Sequence, residues 1–125
     1  MGHPAFTSRT KNPDFQGVFD ISPEDLADYV AKHSAAAVAM VDVREVSEFT
    51  GELGHILGAE LIVLGSLSDH IDSLPKEKPI VFICKSGGRS ARASAFAQAN
   101  GFDQVYNLKG GMMLWNSLKL PVERS

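Results

Sequence analysis

The sequence contains a single cysteine, Cys84, among its 125 residues. One cysteine excludes a disulfide within the chain and any zinc site built on several cysteines. It also leaves no second thiol to resolve an oxidised Cys84, so a redox cycle would need a thiol from another molecule. The role of Cys84 must therefore be inferred from the residues around it.

Other absences limit the class of protein. No apolar run approaches the ~20 residues that span a bilayer, and residues 1–17 lack the apolar core of a signal peptide. We therefore expect a cytoplasmic protein with no membrane association. The formal net charge of −3 argues against general nucleic-acid binding. No grouping of His, Asp and Glu has convincing metal spacing, and the sequence indicates no metal or other cofactor.

The length and composition indicate one globular domain. A chain of 125 residues with 44% hydrophobic and 22% charged residues can bury one core. Residues 1–17 mix Gly, Pro, Ser, Thr and Asn with little periodicity, so we expect an extended or mobile N-terminal arm there. The domain is expected over residues 18–125.

Short apolar runs alternate with helical patterns along this domain. The runs predict strands within residues 18–21, 37–43, 59–64, 80–83 and 105–108. Between them, Ser22 and Pro23 begin one helix as N-cap and first helical residue, and further helices are expected within 46–50, 66–74, 91–99 and 112–118. This alternation predicts an α/β fold with a mostly parallel central sheet and helices on both faces. Such sheets bind ligands at the C-terminal ends of their strands, where Asp42 and Cys84 both lie.

The residues after Cys84 suit a reactive thiol. Gly87 and Gly88 carry the chain from a strand into an Ala-rich helix, and such a tight turn points backbone N–H groups inward. We expect a positive φ and close backbone approach at both glycines. The positive end of the helix dipole and the charges of Lys85 and Arg89 favour thiolate over thiol. The sequence therefore predicts a nucleophilic cysteine. The alternative, a cysteine that only fills space in the core, requires neither glycines nor cations.

The spacing within this loop separates two chemistries. Cys84 and Arg89 form a C-x4-R pattern followed by Ser90, whereas phosphoryl-transfer loops use C-x5-R. The shorter loop resembles the active-site loop of rhodanese-family sulfurtransferases. Two further stretches support the resemblance: residues 41–59, with VDVRE, EF and GHILGA, and residues 101–122, with GFDQVYNLKGG, Trp115 and LPV. The three together span most of residues 18–122.

Two positions depart from the family pattern. Leu57 stands where the family usually has proline in a GHIPGA string, so we expect a looser turn there. Residues 61–65 replace a usual Asn-Ile-Pro-like pattern, which predicts a different wall of the pocket. Neither departure touches Cys84.

The resemblance implies a rhodanese-like three-layer fold and a sulfurtransferase activity. Sulfane sulfur would pass from thiosulfate or a persulfide donor to a thiol or cyanide acceptor, or to a sulfur-relay protein, through a persulfide on Cys84. The loop residues would bind the donor: Lys85, Ser86, Gly87, Gly88, Arg89 and Ser90. This interpretation requires a sulfur that solvent can reach and loop amides that point inward.

The resemblance also implies supporting roles for two residues outside the loop. Asp42 is expected either to order the cysteine loop or to serve only the structure, and Arg44 is expected to pair with Glu45 or Glu48. For Arg89, binding of an anionic donor is favoured over pairing with a surface acid, because the helix dipole repels an arginine that only pairs there.

Two other functions remain open at this point. A phosphatase or arsenate reductase would need the longer loop, so the spacing argues against it. A non-catalytic carrier or binding module with the same fold remains compatible with Cys84 and Arg89, since a dedicated carrier would keep both residues.

Overall fold

The computed structural model describes residues 6–124. Within them lie six strands and five α-helices. The strands are β1 (Thr10–Lys11), β2 (Phe19–Ile21), β3 (Ala39–Asp42), β4 (Glu60–Leu61), β5 (Ile80–Ile83) and β6 (Val105–Leu108). The helices are α1 (Pro23–His33), α2 (Val46–Phe49), α3 (Leu67–His70), α4 (Gly88–Ala99) and α5 (Gly111–Ser117).

The strands form one sheet in the order β1-β2-β6-β5-β3-β4. Every pairing is parallel except that of β1 with β2. The central strand β5 places Phe82 beside Val41 of β3, and Val81 beside Tyr106 of β6. The mostly parallel α/β sheet predicted from the sequence is thereby confirmed.

Strand β5 is buried on both faces because helices cover each of them. Ile80 and Phe82 belong to one core cluster, which includes residues of α3 and α4. Val81 and Ile83 belong to the other cluster, with residues of α1 and α5. This alternation explains why β5 is apolar throughout rather than at every second position. It also confirms the layer of helices on each face.

The helices begin and end close to the predicted positions. The Ser22 hydroxyl accepts a hydrogen bond from Asp25 N–H at 3.1 Å and caps α1. The helix that follows Cys84 begins at Gly88, three residues before the predicted start, because the glycine turn itself supplies the first helical residue. None of the helices in residues 6–124 is long and apolar enough to cross a membrane.

Residues 6–17 belong to the segment that we expected to be an extended or mobile arm, and they contact the domain. Phe6 is fully buried, with its ring 4.9 Å from that of Tyr29 and 5.0 Å from that of Tyr106. Strand β1 then adds an antiparallel edge to the sheet. Residues 6–17 therefore pack on the domain, since one buried aromatic side chain contributes about 1.5–3 kcal/mol. Residues 1–5 of the expected arm lie outside the described residues.

Candidate active site

Cys84 directly follows β5 and continues its alternation, since it joins Ile80 and Phe82 in the same core cluster. Gly87 N–H donates a hydrogen bond to Cys84 Sγ at 3.1 Å, and Ser90 Oγ lies 3.1 Å from the same sulfur. The amide of the loop that contacts the sulfur thus points inward, as the sequence interpretation requires.

The exposure of Cys84 does not match that interpretation. Only 1% of the residue is accessible to solvent, so the sulfur lies at the floor of the loop rather than at its surface. The burial of Cys84 argues against a sulfur-transfer site that is open to solvent. The inward-pointing amide of Gly87 nevertheless favours a sulfur-transfer site. Any donor must reach the sulfur with a narrow terminal atom or through an opening of the loop.

The start of α5 fixes the cysteine loop from behind. Met112 N–H donates to Cys84 O at 2.8 Å, and Met113 N–H donates to Lys85 O at 2.9 Å. Because the C=O and N–H of a trans peptide point in opposite directions, these bonds turn the amides of Lys85 and Ser86 away from α5. This support of the loop by α5 was not predicted from the sequence.

Gly111 permits this close approach. Its φ is +56°, and a Cβ atom there would overlap the backbone of Cys84 and Lys85. In sequence, the signal was a glycine pair immediately before a helix. Such a pair at the edge of a parallel sheet indicates a backbone that must lie against another backbone.

The two glycines of the cysteine loop differ in backbone conformation and in their surroundings. Gly87 has φ of +108° and caps α4 in the left-handed region, as expected. Gly88 has an ordinary φ and open space where a Cβ would lie, so the expected positive φ is wrong for this residue. The first backbone bond of α4 runs from Ala91 N–H to Gly87 O. The amides of residues 88–90 therefore form the first helical turn, at the positive end of the dipole.

Arg89 is paired with an acid. Its Nη1 and Nη2 donate to Glu48 Oε1 and Oε2 at 2.7 and 2.9 Å. The hydrogen bond from Arg89 lowers the pKa of Glu48 to about 2, and the carboxylate in turn raises the pKa of Arg89 above its ordinary value. The surface-acid alternative is the one that the structure contains, because the Glu48 carboxylate offsets the repulsion by the helix dipole.

Glu48 is a residue that we did not place at the site from the sequence. It is the third residue of α2, and it accepts Glu45 N–H at 3.0 Å in a capping box. A capping box directly after the C-terminal end of β3 could have indicated it, because that end lies on the same edge of the sheet as Cys84.

Asp42 and Arg44 form a buried ion pair with each other. Arg44 Nε and Nη2 donate to the two Asp42 oxygens at 2.9 and 2.8 Å, and Nη2 also donates to Gly54 O at 2.7 Å. The expected pairing of Arg44 with Glu45 or Glu48 is therefore wrong. Within residues 6–124, the hydrogen bonds found to the Asp42 carboxylate come from Arg44, which supports a structural role.

The remaining loop residues lie on two sides of the sulfur. Lys85 lines a cavity of about 230 Å³ together with Arg44, Glu48 and Glu52. Ser86 lines another cavity, of about 220 Å³, beside Asp20 and Asn107. Ser90 is fully buried beneath the sulfur. The structure thus brings the predicted loop residues around Cys84 but leaves Asp42 and Arg44 to hold the neighbouring strand end.

Comparisons with known proteins agree with this architecture. The Bacillus subtilis protein named uncharacterized protein YqhL is 42% identical over 76 residues, which are 61% of this chain and 59% of that protein. The thiosulfate sulfurtransferase GlpE of Pseudomonas fluorescens is 36% identical over 78 residues, 62% of this chain and 70% of GlpE. This chain therefore spans less than two thirds of the Bacillus protein.

A solved structure shows the same fold. A rhodanese-related protein from Thermoplasma volcanium superposes with a TM-score of 0.75 at 27% identity, covering 85% of this chain and 98% of that one. The family model of the rhodanese-like domain matches residues 22–118. That match includes the cysteine loop, the ion pair at the end of β3 and the glycine pair at the start of α5. The chain belongs to the rhodanese-like domain family.

Proposed function

We propose that this protein is a sulfurtransferase that carries sulfane sulfur as a persulfide on Cys84. The donor is thiosulfate or a persulfide, and the acceptor is a thiol, cyanide or a sulfur-relay protein. The observation that carries the proposal is the hydrogen bond from Gly87 N–H to Cys84 Sγ, at the start of a helix. The similarity to GlpE, which is named a thiosulfate sulfurtransferase, supports it.

The reaction proceeds in two displacements. Cys84 thiolate attacks the outer sulfur of thiosulfate, the S–S bond of the donor breaks, and its electron pair leaves with sulfite. The acceptor then attacks the outer sulfur of the persulfide, and the bonding pair returns to Cys84 as thiolate. Sulfite is a stable anion, so no general acid is needed, and backbone donors suffice to hold the charge.

The charges at the site bear on donor binding. Arg89 is engaged by Glu48, so an anionic donor must compete with that carboxylate for the guanidinium. The donors left for the substrate are Lys85, the amide of Ser86 and the amides of residues 88–90 in the first turn of α4. In this proposal Asp42 and Arg44 support the edge of the sheet and do not contact the donor.

Burial of Cys84 selects the shape of the donor. At 1% exposure, the sulfur is reached by a terminal sulfur atom on a narrow stem more readily than by a bulky group. Thiosulfate and terminal persulfides both present their transferable sulfur in this way. The same burial shields a bound persulfide from bulk solvent.

Intact mass spectrometry tests the proposal directly. The protein is incubated with thiosulfate, desalted and weighed, with Cys84→Ser as the matched control. The wild type is expected to gain one sulfur atom and to lose it on addition of cyanide, with formation of thiocyanate. No gain on the wild type, or an equal gain on the control, would refute a persulfide on Cys84.

The burial of Cys84 and the pairing of Arg89 also favour a second candidate, a sulfur carrier with slow turnover. Such a carrier loads one sulfur but exchanges it poorly with free thiosulfate and cyanide. Comparing the rate of single loading with the steady-state rate separates the two functions. Comparable rates indicate an enzyme, whereas fast loading by a persulfide donor with a steady-state rate lower by orders of magnitude indicates a carrier.

A further inference from the structure

A row of buried polar side chains leads away from the sulfur of Cys84. Ser90 of α4, Asn107 of β6 and Asp20 of β2 are 0%, 2% and 7% exposed. Ser90 Oγ lies 3.1 Å from Cys84 Sγ and is also in hydrogen-bond contact with Asn107 Oδ1. Asn107 Nδ2 donates to Asp20 Oδ1 at 2.9 Å. The row connects three elements to the candidate nucleophile.

The hydroxyl of Ser90 has two acceptors but one hydrogen. Both Cys84 Sγ and Asn107 Oδ1 lie where that hydrogen could point. A hydroxyl donates one hydrogen bond and accepts through its lone pairs. When Ser90 donates to Asn107, it presents only lone pairs to the sulfur.

Asp20 determines which end of the Asn107 amide faces Ser90. A carboxylate oxygen accepts hydrogen bonds, so the NH₂ group of Asn107 must point to Asp20 and its oxygen to Ser90. Asn12 Nδ2 donates to the same Asp20 oxygen at 2.9 Å. Asn12 Oδ1 in turn accepts N–H of Asp14 and Phe15 at 2.8 and 3.0 Å. The N-terminal segment thus holds Asp20 in place.

All members of the row can form their hydrogen bonds in some protonation and loading states of Cys84 but not in others. A thiol can donate S–H to Ser90 while Ser90 donates to Asn107. A persulfide has an uncharged inner sulfur that needs no donor, so Ser90 again donates to Asn107. A thiolate needs the Ser90 hydrogen, and taking it leaves the buried Asn107 oxygen without its partner, which is unfavourable.

We propose that Asn107, oriented by Asp20, is a positioning residue that directs the Ser90 hydrogen away from Cys84 Sγ. It thereby favours the thiol and the sulfur-loaded forms over the free thiolate. This inference rests on the proposed function, which it deepens, because it makes the site better at holding sulfur than at generating a free nucleophile. In this proposal Asn107 and Asp20 act on the sulfur through Ser90 and do not contact the donor or the acceptor.

The test follows the rate of alkylation of Cys84 by iodoacetamide against pH. Cys84 is the only cysteine, so the rate reports on one thiol. In Asn107→Leu the competing acceptor is gone, and the Ser90 hydrogen is free to bond to the thiolate. The midpoint of the alkylation profile is expected to fall by about one pH unit, a tenfold gain in thiolate.

A double-mutant comparison separates this role from general disturbance of the core. In a Ser90→Ala background there is no hydroxyl hydrogen to redirect, so Asn107→Leu is expected to leave the midpoint unchanged. The charged groups around the loop are the same in both backgrounds: Asp20, Asp42, Arg44, Glu48, Lys85 and Arg89. An equal shift in both backgrounds, or no shift in either, would overturn the proposal.

Two further measurements test the proposed role of Asn107. If Asn107→Leu does not fold, Asp20→Asn serves, because an amide at position 20 lets Asn107 rotate. Its downward shift is expected to be larger with Ser90 present than in the Ser90→Ala background, where only the lost charge of Asp20 acts. At a pH above the midpoint of the alkylation profile, loading of sulfur from thiosulfate at a fixed sulfite concentration should fall about tenfold in either variant. Absence of loading in the wild type rejects the sulfurtransferase function, whereas the alkylation profile decides the role of Asn107 by itself.

Discussion

Arg89 and Glu48, on α4 and α2, form a two-point ion pair at the mouth of the cysteine loop, with N–O distances of 2.7 and 2.9 Å. Their side chains are 37% and 28% exposed, so solvent screens the pair and it contributes at most about 1 kcal/mol to stability. Its effect on the local electrostatics is greater, because the Glu48 carboxylate neutralises the positive charge of Arg89 where an anionic donor would bind.

The substitution Glu48→Gln should therefore speed sulfur transfer from thiosulfate. A glutamine side chain retains the capping interaction of α2 but no longer repels a dianion, and the expected gain in the loading rate is roughly fivefold, from about 1 kcal/mol at the surface. Rapid quench with mass detection measures the rate. Glu52→Gln, in the same cavity as Glu48 and Lys85, is the control for overall charge. Equal gains in the two variants would contradict a specific role of the pair.

The pH dependence of the pair follows from the lowered pKa of Glu48. Because the folded-state pKa of about 2 lies below the ordinary 4.5, the pair stabilises the fold above about pH 4.5 and loses this contribution as the pH falls through 2. NMR titration of the Glu48 carboxyl carbon should give a midpoint near 2. In Arg89→Met the midpoint should move up towards 4.5. A midpoint that is the same with and without Arg89 would show that the pair does not form in solution.

Removing one member of the buried pair of Asp42 and Arg44 should be costly. Asp42→Ala leaves the Arg44 guanidinium, 1% exposed, without its carboxylate, and we expect a loss of about 3–5 kcal/mol in the free energy of unfolding. Urea denaturation measures it. The double variant Asp42→Ala/Arg44→Met should recover much of that loss, because no unpaired charge remains. Additive losses in the double variant would mean that the two side chains do not interact.

Alanine at Gly111 and alanine at Gly88 should have opposite effects on stability. Gly111→Ala places a methyl group against the backbone of Cys84 and Lys85 at a positive φ, and should lower the free energy of unfolding by at least about 2 kcal/mol. Gly88→Ala adds a methyl group in open space at an ordinary φ, and should raise it by up to about 1 kcal/mol. Thermal and urea unfolding of both variants checks the contrast, which fails if the two substitutions cost the same.

Local signals in the sequence were enough to predict the sheet and most of its helices. Strand β5 was predicted because four successive apolar residues imply burial on both faces, and α1 because Ser22 and Pro23 mark a helix start. The packing of Phe6 was not predictable in this way. It depends on contacts with Tyr29 and Tyr106, far along the chain, and a strand of two residues leaves no periodic pattern.

The candidate site was likewise only partly predictable from local sequence. The position of Cys84 at a strand end followed from its neighbours in sequence. The partner of Arg89 is 41 residues away, and only the approach of α2 to α4 brings it there. The pair of Asp42 and Arg44 was accessible to reasoning, because an aspartate at a strand end commonly accepts the N–H of the residue two positions later, as Asp42 Oδ1 accepts Arg44 N–H at 3.1 Å. Proposing Glu45 or Glu48 instead overlooked that turn.

Cys84 belongs to a hydrophobic core cluster as well as to the cysteine loop. A substitution of Cys84 that removes its chemistry therefore also changes the packing of the core. Alanine would leave a cavity in the core cluster that also holds Phe82 and Ala93, and a loss of activity could then reflect looser packing rather than the missing thiol. Serine nearly preserves the side-chain volume of Cys84 and can still accept a hydrogen bond from Gly87 N–H, so Cys84→Ser is the better inactive control. Its melting temperature should be measured before any rate is interpreted.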